Sequence, residues 1–375
     1  MRGPTVRPIV IAAGGTGGHL FPAEALAAEL LARGERIALM TDARSAAFDS
    51  PAFANAERFV LSGAGLSGRG AWRAVRGAAA LGAGTLEARR ILVSLHAAAV
   101  VGFGGYPSVP PLVATRLLPR RLRPVAVLHE QNAVLGRANR MLAKGADLLA
   151  LSITGTTRVP AEARAEVLGN PVRPALAALT GAGYAPPEGA IRLLVTGGSL
   201  GARVFADVVP AAIAALPGAL RGRLLVTQQA RAEDFQRVRD AYAELGIPAE
   251  IAAFFPDIAN RLSTAHLVIA RAGASTIAEL ACAARPSILV PLPHAIDDHQ
   301  SGNARALAEA GAAIVMPQIG FTAEALAERL ARLLDDNAEL AHMAAAAAPL
   351  ARPDAARTLA DRVLALVAAR VGVPR

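Results

Sequence analysis

Val10-Ile11-Ala12-Ala13-Gly14-Gly15-Thr16-Gly17-Gly18-His19-Leu20-Phe21-Pro22 passes from an apolar run through a glycine-rich turn into a helical segment. Strand, turn and helix in that order open a doubly wound α/β sheet, and they create an anion site. Glycines let backbone N–H groups approach an oxyanion closely, while the first helical turn adds unpaired donors and the positive end of the helix dipole. His19 then sets a titratable imidazole at the rim. A bare phosphate loop has no use for it, whereas an enzyme that deprotonates a group beside a phosphate does. A dinucleotide fingerprint fails on spacing, because Leu20 stands where the third glycine belongs, even though Asp42 closes the second apolar run as a ribose-binding acid would.

Beyond this stretch, short apolar runs alternate with alanine-rich helical ones. They place strands near Ile9, Ile37, Val60, Val100, Val127, Leu149 and Val167, and again near Leu194, Val226, Ile251, Val268, Leu289 and Ile314. The fold expected is α/β, with two doubly wound Rossmann-like domains, 1–172 and 173–353, facing a cleft. The two prolines of Gly169-Asn170-Pro171-Val172-Arg173-Pro174 stiffen the connection. Residues 354–371, with Leu359, Val363 and Leu366 at helical spacing, read as one amphipathic helix returning to the first domain. Ligands of such sheets bind beyond the carboxyl ends of the strands, so function is expected in those loops.

With 375 residues, 53% hydrophobic and 18% charged, the chain can build two cores. Its charge is uneven: residues 1–172 carry 20 Lys and Arg against 11 Asp and Glu, and residues 173–375 carry 19 against 19. The first half is therefore the anion-facing one, suited to a phosphorylated substrate or an anionic membrane surface. Aromatic residues at 4% argue against stacking on single-stranded nucleic acid, and no nucleic-acid partner is expected. One cysteine, Cys282, excludes an internal disulfide, and no Cys/His cluster has zinc spacing. Neither a metal nor another cofactor is expected. No charged-then-apolar leader precedes the first strand, so export is not expected. The uncharged run from Ile91 to Thr115 contains three glycines and three prolines, and reads as strand, loop and helix rather than a membrane span.

Further motifs follow the strands. Gly102-Phe103-Gly104-Gly105-Tyr106-Pro107-Ser108 is a second glycine loop at the same sheet edge, and His129-Glu130-Gln131-Asn132 sets four polar side chains at the end of another strand, costly unless they meet water or a ligand. In the second half, Val195-Thr196-Gly197-Gly198-Ser199-Leu200-Gly201-Ala202 repeats strand, glycine turn and helix as a second phosphate site, toward which Arg173 can offer a forked guanidinium. Ser275 and Glu279 of Arg271-Ala272-Gly273-Ala274-Ser275-Thr276-Ile277-Ala278-Glu279 share a helical face, and a carboxylate there suits a ribose diol. Asp297-Asp298-His299-Gln300-Ser301-Gly302-Asn303-Ala304 adds groups suited to sugar hydroxyls. Its two aspartates need no metal, since Arg173 and the expected helix start at Ser199 offset a diphosphate's charge.

In this order, GGTGGH with FP, GFGGYPS, HEQN, GNPVR, GGSLGA, RAGASTIAE and DHQSGNA make the chain resemble the MurG family over nearly its whole length. The resemblance implies the two-domain GT-B fold and inverting transfer of N-acetylglucosamine from UDP-N-acetylglucosamine to the 4-hydroxyl of the undecaprenyl-linked muramoyl-pentapeptide of peptidoglycan synthesis. It also implies peripheral attachment at the cytoplasmic face of the inner membrane, and a part in cell-wall formation, cell shape and division. It makes His19 the base, with Glu130 as second choice. Thr16, Gly17, Gly18, Asn132, Arg173, Ser199, Phe255 (through its backbone), Glu279, Gln300 and Asn303 become donor ligands. Because the donor ligands gather in the second half and the positive charge in the first, Gly14, Gly15, Gly104, Gly105 and Tyr106 are assigned to the acceptor's diphosphate. The stretches Arg69 to Arg76, with Trp72, and Arg116 to Arg123, with Leu117, Leu118 and Leu122, share the family's basic-apolar membrane-facing character. Two departures stand out: Val109 where glycine is frequent, and Gln228-Gln229 where His-Gln is common, which leaves that loop without an assigned role. The alternatives are a UDP-sugar epimerase of the same architecture and a non-catalytic membrane adaptor.

Overall fold

In a computed structural model describing residues 7–46, 50–61, 71–199 and 201–371, the apolar runs form two sheets with parallel pairing throughout. The first contains β1 (Ile9–Ala12), β2 (Ile37–Thr41), β3 (Glu57–Val60), β4 (Ala99–Gly102), β5 (Val125–Glu130), β6 (Leu148–Leu151) and β7 (Ala165–Val167), in the order β3-β2-β1-β4-β5-β6-β7. The second contains β8 (Ile191–Thr196), β9 (Leu224–Gln229), β10 (Ala249–Ala252), β11 (Leu267–Ala270), β12 (Ser287–Leu289) and β13 (Ala313–Val315), in the order β10-β9-β8-β11-β12-β13. Every strand position read from the sequence is a strand. Central strands covered by helices on both faces must be apolar on both, and β1, β4, β6 and β11 are buried at all four positions. Strand order reverses between β1 and β4 and between β8 and β11, and at such points the loops part and leave a crevice.

The chain divides into two compact units, Met1–Arg173 with Asp354–Arg375, and Pro174–Pro353. Arg173 thus belongs to the first unit, one residue beyond the boundary read from the prolines, and its guanidinium carbon lies 4.5 Å from the Phe21 ring centroid. The uncharged run resolves into the end of the helix Ala71–Ser94, then β4, a short 3-10 turn and the helix Val109–Arg116, with Val109 buried in the core. Among the described residues no helix is long and apolar enough to cross a membrane. Of the expected membrane-facing residues, Arg69 and the Trp72 side chain lie outside the described part.

The helix Ala355–Val371 completes the first unit: Leu359, Ala360 and Val363 are wholly buried in one cluster with Leu20, Leu26 and Leu30. Around it, Arg362 Nε donates to Glu166 Oε2 at 2.7 Å, Arg370 Nη2 to Asp147 Oδ1 at 2.6 Å, and Arg33 Nη1 to Asp361 Oδ1 at 2.5 Å. Partly exposed ion pairs contribute at most about 1 kcal/mol each, so the apolar contact dominates. Leu359→Ala is therefore expected to destabilise the first unit by about 3 kcal/mol in urea unfolding. An unchanged midpoint would show that the tail is not part of that core.

Candidate active site

Register places the first unit's three loops together. Ala12 of β1 pairs with Gly102 of β4, and Gly102 with Leu128 of β5, so Gly14–His19 and Phe103–Tyr106 leave the sheet at one level, beside His129 and Glu130, the last two residues of β5, and Gln131-Asn132 just beyond them. Thr16, extended, occupies the N-cap of the helix Gly17–Ala32, and its carbonyl accepts from His19 N and Leu20 N. The Gly17 and Gly18 N–H groups fall in the first turn, where the helix offers no acceptor. His19 leans on the second glycine loop. Gly104 and Gly105 have φ of 82° and 69°, and a Cβ on them would stand 3.5 Å from His19 Cε1 and 3.3 Å from His19 Cδ2. Only glycine combines that backbone with that proximity.

Behind His19 runs a chain of hydrogen bonds. His19 Nδ1 lies 3.2 Å from Gln131 Oε1, and Gln131 Nε2 lies 3.0 Å from both Phe103 O and His129 Nδ1. His129 Nε2 lies 3.0 Å from Gly169 O, at the start of the connection to the second unit. Burial pushes the His129 imidazole down to about 4, with the Gly169 carbonyl and Glu130 opposing that shift and His19 adding to it. Phe103 packs beside it with ring centroids 5.2 Å apart.

Glu130, 3% exposed, faces the other way. Its Oε1 accepts from Asn132 N and Nδ2, both at 3.0 Å, and its Oε2 accepts from Gly136 N and Asn139 Nδ2, both at 2.9 Å. Four donors on a buried carboxylate make a loop anchor, and they leave His19 the better placed of the two base candidates. Gly14 and Gly15 are likewise engaged by the protein. A Cβ on Gly14 would stand 2.9 Å from Pro107 Cγ, and Gly15 N donates to Ser45 Oγ at 2.7 Å. Gly105 and the exposed Tyr106 begin the turn beside His19.

In the second unit, the loops after β8 and β11 open at the reversal point. A Cβ on Gly197 would meet Ala202 N at 2.4 Å and Gly201 C at 2.5 Å, so the turn folds back on its own backbone. Ser199 is exposed in this turn, and the helix begins only at Arg203, four residues later than expected. Gln228 and Gln229, expected in a loop, are the last residues of β9, and Gln229 holds the turn. Its Oε1 accepts from Thr196 Oγ1 and Gly197 N, and its Nε2 donates to Gly198 O and Ala253 O. Its neighbour Gln228 is in the core, accepting from Tyr242 Oη at 2.6 Å.

Half-buried Glu279 sits one turn after Ser275 in the helix Ala274–Ala283, and Ser275 Oγ is buried with no hydrogen-bond partner among the described residues. Gln300 Oε1 accepts from Leu292 N at 2.9 Å. Asn303 is wholly buried and donates to Ala272 O at 3.1 Å, tying the helix His299–Glu309 to the loop before Ser275. Phe255 is buried under the Arg261 guanidinium, 4.2 Å from its centroid. Among the described residues no cluster of metal-ligating side chains occurs.

Sequence reasoning missed Gln131, Asn139, Gln229 and Arg271 as organisers. Arg271 donates to Val290 O and Pro291 O, both at 3.1 Å, and to Gln318 Oε1 at 2.6 Å, bracing the strand end that leads to Gln300. Period-two alternation was the available signal for Gln131, since just past the end of β5 it continues the side of His129.

The chain matches the glycosyltransferase family 28 N-terminal domain over residues 9–150 and the family's C-terminal domain over residues 192–359. It is 59% identical over 359 residues to the UDP-N-acetylglucosamine–N-acetylmuramyl-(pentapeptide) pyrophosphoryl-undecaprenol N-acetylglucosamine transferase of Granulibacter bethesdensis, covering 95% of this chain and 93% of that one. To the protein of the same name from Acidiphilium cryptum it is 54% identical, covering 99% and 100%. Among solved structures, Acinetobacter baumannii MurG superposes with a TM-score of 0.76 at 28% identity, covering 96% of this chain and 99% of that one.

His129 also makes stability depend on pH. Its folded-state pKa lies below the ordinary 6.5, so the unfolded chain takes up a proton first as pH falls. Stability present above pH 6.5 is then lost progressively toward pH 4, by roughly 2–3 kcal/mol. Urea unfolding at pH 7 and pH 4.5 checks this against His129→Asn. A wild type losing no more than the variant would contradict it.

Proposed function

Because the chain belongs to the MurG family within glycosyltransferase family 28, it is a glycosyltransferase, and we propose that it moves N-acetylglucosamine from UDP-N-acetylglucosamine to the 4-hydroxyl of an undecaprenyl-linked muramoyl-pentapeptide. The observation carrying the reading is His19, seated against Gly104 and Gly105 at the reversal point of the first sheet and tied through Nδ1 to Gln131. In this mechanism the acceptor oxygen attacks the anomeric carbon from the face opposite the diphosphate. The bond from that carbon to the diphosphate breaks, the hydroxyl proton passes to His19 Nε2, and UDP leaves with inversion. Arg173 and the donors around Gly197–Ser199 are assigned to the charge growing on the diphosphate. Glu279 takes the ribose hydroxyls, with Ser275 Oγ on the same helical face.

Thr16, Gly17, Gly18 and Asn132 are assigned to the donor, as are the Phe255 backbone and the Gln300 amide nitrogen. Asn303 serves by holding the loop before Ser275. For the acceptor's diphosphate the reading rests more on Gly104, Gly105 and Tyr106 than on Gly14 and Gly15, whose space and N–H are already occupied. Peripheral attachment to an anionic membrane, at its cytoplasmic face, is supported by a basic-apolar surface on the first unit. Leu117 and Leu122 are 53% and 39% exposed beside Arg120 and Arg121, whereas Leu118, expected on the same surface, is buried in the core. The reaction would serve peptidoglycan synthesis, and through it cell shape and division.

The test is a transfer assay with labelled UDP-N-acetylglucosamine and the lipid-linked acceptor. One UDP per sugar transferred is expected, and UDP release equally fast without acceptor would overturn the reading in favour of an epimerase. Glu279→Ala is expected to weaken donor binding about 10- to 100-fold, the loss of hydrogen bonds to a charged group. Unchanged donor affinity would remove the ribose assignment.

A further inference from the structure

The amide of Gln131 has only one workable orientation. Phe103 O and His129 O are obligatory acceptors, at 3.0 and 3.3 Å from one end of the amide, so that end is the NH2 group. His129 agrees independently. Its Nε2 faces Gly169 O and must carry the ring proton, which leaves Nδ1 of the neutral ring as an acceptor 3.0 Å from the same amide nitrogen. Burial keeps that ring neutral. The opposite end of the amide, Oε1, therefore faces His19 Nδ1 at 3.2 Å and can only accept. We propose that Gln131 is a positioning residue that holds neutral His19 in its Nδ1–H tautomer, so that the lone pair needed to take the acceptor's proton is always on Nε2.

Reversing the His19 tautomer would set a ring lone pair against the amide oxygen. Reversing the amide as well would set that oxygen against two carbonyls. The lock is thus anchored at fixed points, the Gly169 and Phe103 carbonyls, and is transmitted through His129 and Gln131 to a ring that the glycine loop keeps in place. The device sets which nitrogen of the neutral ring is basic.

The inference rests on His19 acting as the base, and the experiment separates the two claims. Ring-nitrogen NMR of the full chain labelled with 15N-histidine, with His19→Ala identifying the His19 signals, is expected to show neutral His19 protonated at Nδ1. A wild-type ring protonated mainly at Nε2 overturns the lock, whatever any variant does. In Gln131→Met, close in volume but without amide donor or acceptor, the His19 signals are expected to move toward a tautomer mixture. In that variant kcat should fall about tenfold while the KM for UDP-N-acetylglucosamine stays within about twofold. An unshifted tautomer, or a full kcat, in folded Gln131→Met also overturns it. Near-normal turnover in His19→Ala would instead remove the base reading, and the ring-nitrogen result would still decide whether Gln131 sets the tautomer.

Discussion

Ala12 pairs with Gly102 and Gly102 with Leu128, so β1 and β4 end at one level, β5 runs on only to Glu130, and the three release their loops side by side. Parallel pairing in this register brings His19, Gly104–Gly105 and His129–Asn132 together from positions more than a hundred residues apart. The interleaving helices impose the pairing, because a parallel neighbour is reached only through a crossover, and both sheet faces are then covered by apolar side chains. The polar side chains are left to the strand ends where strand order reverses. The returning helix Ala355–Val371 closes the same core from below Leu20 and Leu26, which lie in the helix that carries His19.

Much of this was legible in the sequence, for physical reasons. A strand buried on both faces reads as an unbroken apolar run, which is why Val10–Ala12, Ala99–Val101 and Leu267–Ala270 stand out. The glycine loops announce themselves because a backbone turning at positive φ excludes most other residues. The division of labour inside His129-Glu130-Gln131-Asn132 was not legible. Four adjacent polar residues look equivalent along the chain, yet alternation sends His129 and Gln131 toward His19 while Glu130 turns to Gly136 and Asn139. Gln228 and Gln229 repeat the lesson, one bonded to the core Tyr242 and the other pinning the Gly197–Gly198 turn. The helix start expected at Ser199 was displaced to Arg203, since the Gly197 turn first folds back against Gly201 and Ala202.

Both units use a buried side-chain amide to fix a glycine loop, and neither amide is itself at the surface. Gln131 ties Phe103 to His19, and Gln229 ties Gly197 and Gly198 to Ala253. An amide offers a donor and an acceptor with no charge, so it can brace a glycine backbone without adding an anion or a cation beside it. Glu130 shows the other use of a buried polar group. As a carboxylate with four donors it is a scaffold, whereas the His19 imidazole is half-buried and meets a single amide oxygen through Nδ1.

The most direct measurement of this division is a single-turnover comparison of His19→Ala and Glu130→Gln with donor and lipid-linked acceptor both saturating. The account predicts that His19→Ala loses about 10²–10⁴-fold in the transfer step with little change in stability. Glu130→Gln, which sets an amide NH2 against existing donors, should unfold at lower temperature while its folded fraction still transfers sugar at a rate near that of the wild type. The reverse pattern, with transfer abolished in stable Glu130→Gln and retained in His19→Ala, would contradict it.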